Sequence, residues 1–204
     1  MKKILLFSLL LFTHVLSAQT MEFTKVDDNK KENLIRKISK SFTSFGCDFK
    51  ELKYITILDE TITSEGKIYY KSPDKLLCKY CFPKEISIVV FGKEIIIKTP
   101  DGNQNPNDFY YEKISTLLDV IGGKSYKQFD KYNLGVFYNS IQYLVVITPT
   151  NKPERLFFNK ISIYFNSSSN TIDKIIMLDS SDDVITMTFH NQAKNIRIDD
   201  SIFK

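Results

Sequence analysis

Three cysteines and two histidines are the side chains of this 204-residue sequence with the most versatile chemistry. Cys78-Lys79-Tyr80-Cys81 has the spacing of a thiol–disulfide exchange pair. That chemistry wants the attacking thiol at a helix N-terminus, where its thiolate is stabilised. Here the pair lies in the strand-like run 76–82, where positions three apart face opposite sides of a sheet. The cysteines are therefore expected as small core residues, or as one bridge involving Cys47. His14 falls in an N-terminal apolar run, which leaves His190 as the histidine available as a general base or metal ligand. No G-x-S-x-G elbow occurs, and nothing in the spacing of His190, Cys78 and Cys81 suggests zinc. The expectation is a protein that is not an enzyme and uses no cofactor and no metal.

The N-terminus points to a compartment. Lys2 and Lys3 precede the apolar run 4–15, and Ser17-Ala18 puts small residues where a signal peptidase cuts. Residues 1–18 read as a cleaved signal peptide, so the protein is expected to be secreted to the periplasm. The apolar run is shorter than the ~20 residues that span a bilayer. Cleavage leaves 204 − 18 = 186 residues and removes two of 28 basic side chains, against 24 acidic ones. So balanced a charge lacks the concentrated basic face of a nucleic-acid binder. No composition shift or solenoid repeat divides residues 19–204, which read as a single domain.

The elements follow from periodicity. Leu34, Ile38, Phe42 and Phe45 make one apolar stripe, which predicts a helix over 29–45 that stops near Gly46. Ile114, Leu117, Leu118 and Ile121 predict a second helix over 108–121, stopped by Gly122-Gly123. Short β runs fill the rest, at 53–62, 67–71, 76–82, 85–91, 94–98, 135–139, 141–148, 156–165, 171–178, 184–190 and 196–198, with Ser64-Glu65-Gly66 as a tight turn. The fold class is α+β, mainly antiparallel β. A single sheet of about ten strands must curl, and the helices are the natural cover for its apolar concave face.

The segment Gly66-Lys-Ile-Tyr-Tyr-Lys-Ser-Pro73, followed by Leu76-Leu77-Cys78, Pro83 and Phe91-Gly92-Lys93, resembles the outer-membrane lipoprotein carrier family, LolA. That family reads G-x-L-x-x-x-R-P-x-x-F-x-W, then a proline ten residues on and D-G-K nine residues after it. Here 83 − 73 = 10 and 92 − 83 = 9. The close of the chain, from Thr188-Phe189-His190-Asn191 to Phe203, is also similar. The resemblance implies an incomplete, half-open β-barrel whose mouth is closed by helices. It further implies a soluble periplasmic carrier that shields the acyl chains of lipoproteins in an apolar groove and delivers them toward the outer membrane. Acylated lipoproteins or lipid acyl chains would be its cargo, and an inner-membrane lipoprotein-release transporter its donor. The outer-membrane acceptor stays unspecified, and a monomer is expected.

On the strand parity fixed by the motif, Ile68, Tyr70, Leu76, Cys78 and Tyr80 are expected on the concave face. Leu34, Ile38, Phe42 and Phe45 of the first helix would point down at them. Ser72 stands where the family carries the Arg that latches its lid, and Leu76 and Cys78 replace the family's aromatic pair. The lost Arg favours an alternative, a lipid- or lipoprotein-sensing regulatory module of the envelope with the same fold. Such regulators carry a second domain, which is not expected here, so the carrier reading stays ahead.

Overall fold

A computed structural model describes residues 22–92, 94–104, 114, 116, 118 and 132–204, with 153 and 154 in backbone only. The signal-peptide segment 1–18 lies outside the described residues. So does most of the expected helix over 108–121, of which Ile114, Thr116 and Leu118 are helical.

Side-chain alternation builds the sheet. From Phe49 onward β2 (Ser44–Ile55) turns Phe49, Glu51 and Lys53 inward and leaves Lys50, Leu52 and Tyr54 exposed. β2 pairs along its whole length with β3 (Glu60–Lys71), which continues into β4 (Lys75–Phe82), β5 (Ile86–Phe91), β6 (Glu94–Thr99) and β7 (Gly102–Gln104). The second half of the chain forms another meander: β8 (Tyr132–Tyr138), β9 (Gln142–Pro149), β10 (Lys160–Asn166), β11 (Ile172–Leu178) and β12 (Val184–Lys194). β12 pairs with β2 and joins the halves, while β1 (Thr24–Lys25) pairs with β8. The order is β1-β8-β9-β10-β11-β12-β2-β3-β4-β5-β6-β7, antiparallel throughout, and its ends do not meet. This is the expected open barrel, with twelve strands instead of about ten. β1 and β7 have two and three residues, too few to carry a periodic signal.

The first helix differs from its expected span. α1 covers Asp28–Ser39 and stops before Phe42. The Ser39 and Ser41 hydroxyls donate to the Ile35 and Ile38 carbonyls, satisfying groups left free at the helix end. Phe42 and Thr43 then lead out, and Phe45 enters β2 opposite Tyr70. Aromatic and β-branched residues lose side-chain freedom in a helix and fit a pleated surface better. The four- and three-residue spacings therefore ran across a helix–strand junction.

Gly66 is the second difference. The β2–β3 turn is made by residues 56–59, with Asp59 at φ 51° and Tyr54 Oη donating to Asp59 Oδ1 at 2.7 Å. Gly66 instead sits within β3 at an irregularity in the pairing with β4. A Cβ there would lie 2.1 Å from the Lys79 carbonyl oxygen and 2.7 Å from the Phe49 ring. The glycine serves close approach, the other use of a missing Cβ.

Two further strand readings shift. The expected strand 156–165 begins at Lys160, after a short helix α2 (Lys152–Arg155). Residues 196–198 form no strand. They lead into a 3₁₀ turn (Asp200–Phe203) on the convex side, where Ile198 and Phe203 pack on Val89. Lys71 and Lys75 Nζ both reach Asp200, at 2.6 and 2.7 Å, and hold this segment down. The concave side carries the larger core, which α1 covers with Ile35 and Ile38.

Candidate functional site

Residues that face each other across antiparallel strands share one face, so the pairing lays out the concave lining in rows. One row runs Phe45, Tyr70, Leu76, Val90 and Ile95, and the next Cys47, Ile68, Cys78 and Ile88. β11 and β12 supply Ile175 and Met177 and, opposite them, Met187 and Ile185. Between these walls lies a cavity of about 220 Å³. Ile114 and Leu118 also line it.

Of the nine expected groove residues, Phe45, Ile68, Leu76, Cys78 and Tyr80 line this cavity. Ile38, Phe42 and Tyr70 do not; they are 2%, 5% and 1% exposed and form packed core at one end of it. Phe42 meets Phe45 edge-on at 5.3 Å, and Phe45 stacks on Tyr70 at 5.3 Å. Leu34 packs against the same core from α1, only partly buried. The sequence reading missed the far wall on β11 and β12. Alternation marked those strands, but the motif fixed parity only on β3 and β4. The chain's crossing from β12 to β2 makes the two walls face each other.

Ser72 is exposed, and its backbone N–H donates to the Thr43 carbonyl at 2.8 Å. Its neighbour Lys71 points to the other face, where it binds Asp200. The lid that a latch would hold falls mostly outside the described residues.

Cys47 and Cys78 flank Ile68 on the cavity wall, and both are free thiols. A bridge involving Cys47 is not formed, because a whole strand separates the two. Burial pushes the Cys47 thiol up to about 12, helped by the Asp48 charge. It raises the Cys78 thiol too, with the Glu51 carboxylate adding to the effect. Cys81 is exposed, on the side of β4 away from Cys78. Neither buried thiol has the electropositive surroundings of a reactive cysteine. His190 is exposed, opposite Asp48. Among the described residues no group of three His, Cys, Asp or Glu is placed to hold a metal ion.

The cavity is not apolar throughout. Glu51, Lys53 and Asp179 line one end and Gln192 the other. Glu51 Oε2 accepts from the Tyr80 hydroxyl at 2.8 Å. Desolvation raises the Glu51 carboxyl above the usual range, against the lowering effects of Tyr80 and the Lys53 charge. Lys53 Nζ is drawn to Asp183 Oδ2 at 3.3 Å. The Asp179 carboxylate accepts the backbone N–H groups of Ser181 and Asp183.

The model of the family described as outer membrane lipoprotein carrier protein LolA matches residues 40–204. This chain belongs to the LolA family. No curated protein sequence matches it significantly. Solved structures match its fold at low identity. A DUF1329 family protein from Desulfovibrio piger is 11% identical with a TM-score of 0.52, over 85% of this chain and 95% of that one. A Vibrio parahaemolyticus domain, provisionally named for outer membrane lipoprotein sorting, is 9% identical with a TM-score of 0.51, over 87% and 97%. An uncharacterised conserved protein from Thermus thermophilus is 11% identical with a TM-score of 0.51, over 86% and 92%. The LolA fold is a carrier-type binding fold. Among the described residues no helix is long and apolar enough to cross a membrane.

Proposed function

We propose that this LolA-family protein is a monomeric periplasmic carrier of a single domain, residues 19–204, that shields the acyl chains of lipoproteins and delivers them toward the outer membrane. It has no reaction to catalyse. The observation that carries this reading is the cavity walled by Phe45, Ile68, Ile88, Ile175 and Met187. Taking an acyl chain out of water is worth about 0.8 kcal/mol per methylene. A lipid-modified protein therefore needs such a sheath to cross an aqueous space. An inner-membrane lipoprotein-release transporter would load it.

The cavity's size favours a second reading in part. About 220 Å³ is below the roughly 300–1,000 Å³ of drug-sized ligand pockets. As it stands it suits part of one acyl chain, which is what a lipid-sensing module of the envelope would need. A carrier must open further on loading. Mass spectrometry of what co-purifies natively from envelope extracts separates the two. Acylated lipoproteins support the carrier, free lipid alone supports the sensor, and an empty protein across repeated preparations would remove both.

A further inference from the structure

Lipid grooves need nothing but apolar lining to hold a tail, so a carboxylate in this one calls for a reason. Glu51 is half-buried between two hollows. On one side is the apolar cavity. On the other is a wider groove of about 420 Å³ that also touches Glu51, Tyr80 and Ile88. The Tyr80–Glu51 hydrogen bond stands at their junction.

The charges around it are not balanced. Opposite Glu51 are Ser64 on β3 and the apolar Met187 on β12. Asp179, at the end of β11, adds a second carboxylate to the lining. Lys53 is the one cation among the described residues lining the cavity, where Asp183 already engages it, and Lys84 lies on the wider groove. The Tyr80 hydroxyl donates to one oxygen of the Glu51 carboxylate. A carboxylate has about four acceptor sites, so the Tyr80 bond leaves room for a further donor.

We infer that Glu51 and Tyr80 form a head-group site, which selects an acyl chain whose polar end donates a hydrogen bond, as an ammonium or an amide N–H does, over one that ends in an anion. The tail fills the apolar cavity, the head meets Glu51, and whatever the head is attached to leaves through the wider groove. An anionic head at Glu51 would meet a carboxylate whose neighbouring cation, Lys53, is already paired with Asp183. The raised Glu51 carboxyl fits this, since a donor from the ligand would replace the solvation that burial removed. The inference rests on the carrier reading and adds to it the chemistry of the carried group.

The test uses one tail with different heads. Dodecylamine, N-dodecylacetamide and dodecanoate would compete for the uncharged probe N-phenylnaphthylamine near neutral pH. The amine and the amide are expected to displace it about tenfold more tightly than dodecanoate. Glu51→Gln should bring the three within about threefold of one another, whereas Tyr80→Phe, which leaves the carboxylate, should keep their order. Wild-type protein at about pH 5 gives the same comparison without a variant. There the amine should lose affinity relative to the uncharged amide, since neither head changes its own charge while the Glu51 carboxylate becomes more protonated. A preference for dodecanoate, or equal affinities in wild type, would overturn the head-group site and leave carrying intact. Failure of the probe and all three compounds to bind would overturn both.

Discussion

At Glu51 and Gly66 the cost of an unusual residue can be read directly. Burial raises the Glu51 carboxyl, so the folded protein holds this proton more tightly than the unfolded chain does. Its effect on stability therefore runs opposite to that of most carboxylates: it destabilises as pH rises through the raised value. Glu51→Gln is expected to raise the unfolding temperature near neutral pH and to change it little at about pH 4, which thermal unfolding at the two pH values checks. Gly66→Ala is expected to cost about 1–3 kcal/mol, because the new methyl must displace the Lys79 carbonyl or the Phe49 ring. Denaturant unfolding measures it, and a loss under about 0.5 kcal/mol would show that β3 yields at its bulge. Two glutamates should also part company. Tyr70→Glu places a carboxylate in packed core at 1% exposure and should unfold the protein. Ile88→Glu, on the cavity wall, should leave it folded and abolish binding of an acyl-chain probe.

The elements show which sequence signals carried physical content. The expected strand 53–62 ran across the β2–β3 turn at 56–59, whereas strands β4 to β6 were legible because their alternation and their prolines and glycines report one surface each. The junction from α1 to β2 was not, because Phe42 and Phe45 are apolar in either state, and a spacing of three or four residues cannot tell helix from chain that folds back. Gly66 was misread for a related reason: a glycine records that space or torsion is needed, not which. The cavity's near wall was legible from strand parity. Its far wall, Ile175 and Met177 with Met187 and Ile185, depends on pairing between distant strands that no local pattern contains. At the C-terminal segment the tie is electrostatic and exposed. Lys71 and Lys75 hold the Asp200 carboxyl down to about 2, so this tie is present above the ordinary carboxylate range and lost only as pH falls through about 2. Asp200→Asn should speed hydrogen exchange across 196–203 while leaving the sheet protected. Phe203→Ala, at a buried site on the same segment, should cost about 3–5 kcal/mol.

For the whole molecule, binding and stability are one measurement. A ligand that fits only the folded cavity stabilises it by about 2.7 kcal/mol at a hundredfold excess over its Kd. In a chain of this size that raises the unfolding temperature by roughly 5–10 °C. Dodecylamine is the first compound to try, and no shift at saturation would mean that it binds elsewhere. The sheet order also has a kinetic consequence. Within β2 to β7, and again within β8 to β12, each strand pairs with its neighbour in sequence, so each meander can zip by short loop closures. One seam joins them, where Thr188 on β12 donates to the Lys50 carbonyl on β2, 138 residues away. Non-local pairings of this kind are the slow part of forming a β protein. The cavity has one wall from each meander, so it comes into being only when that seam closes. In refolding, secondary structure should return first and acyl-probe fluorescence should return with the slowest phase.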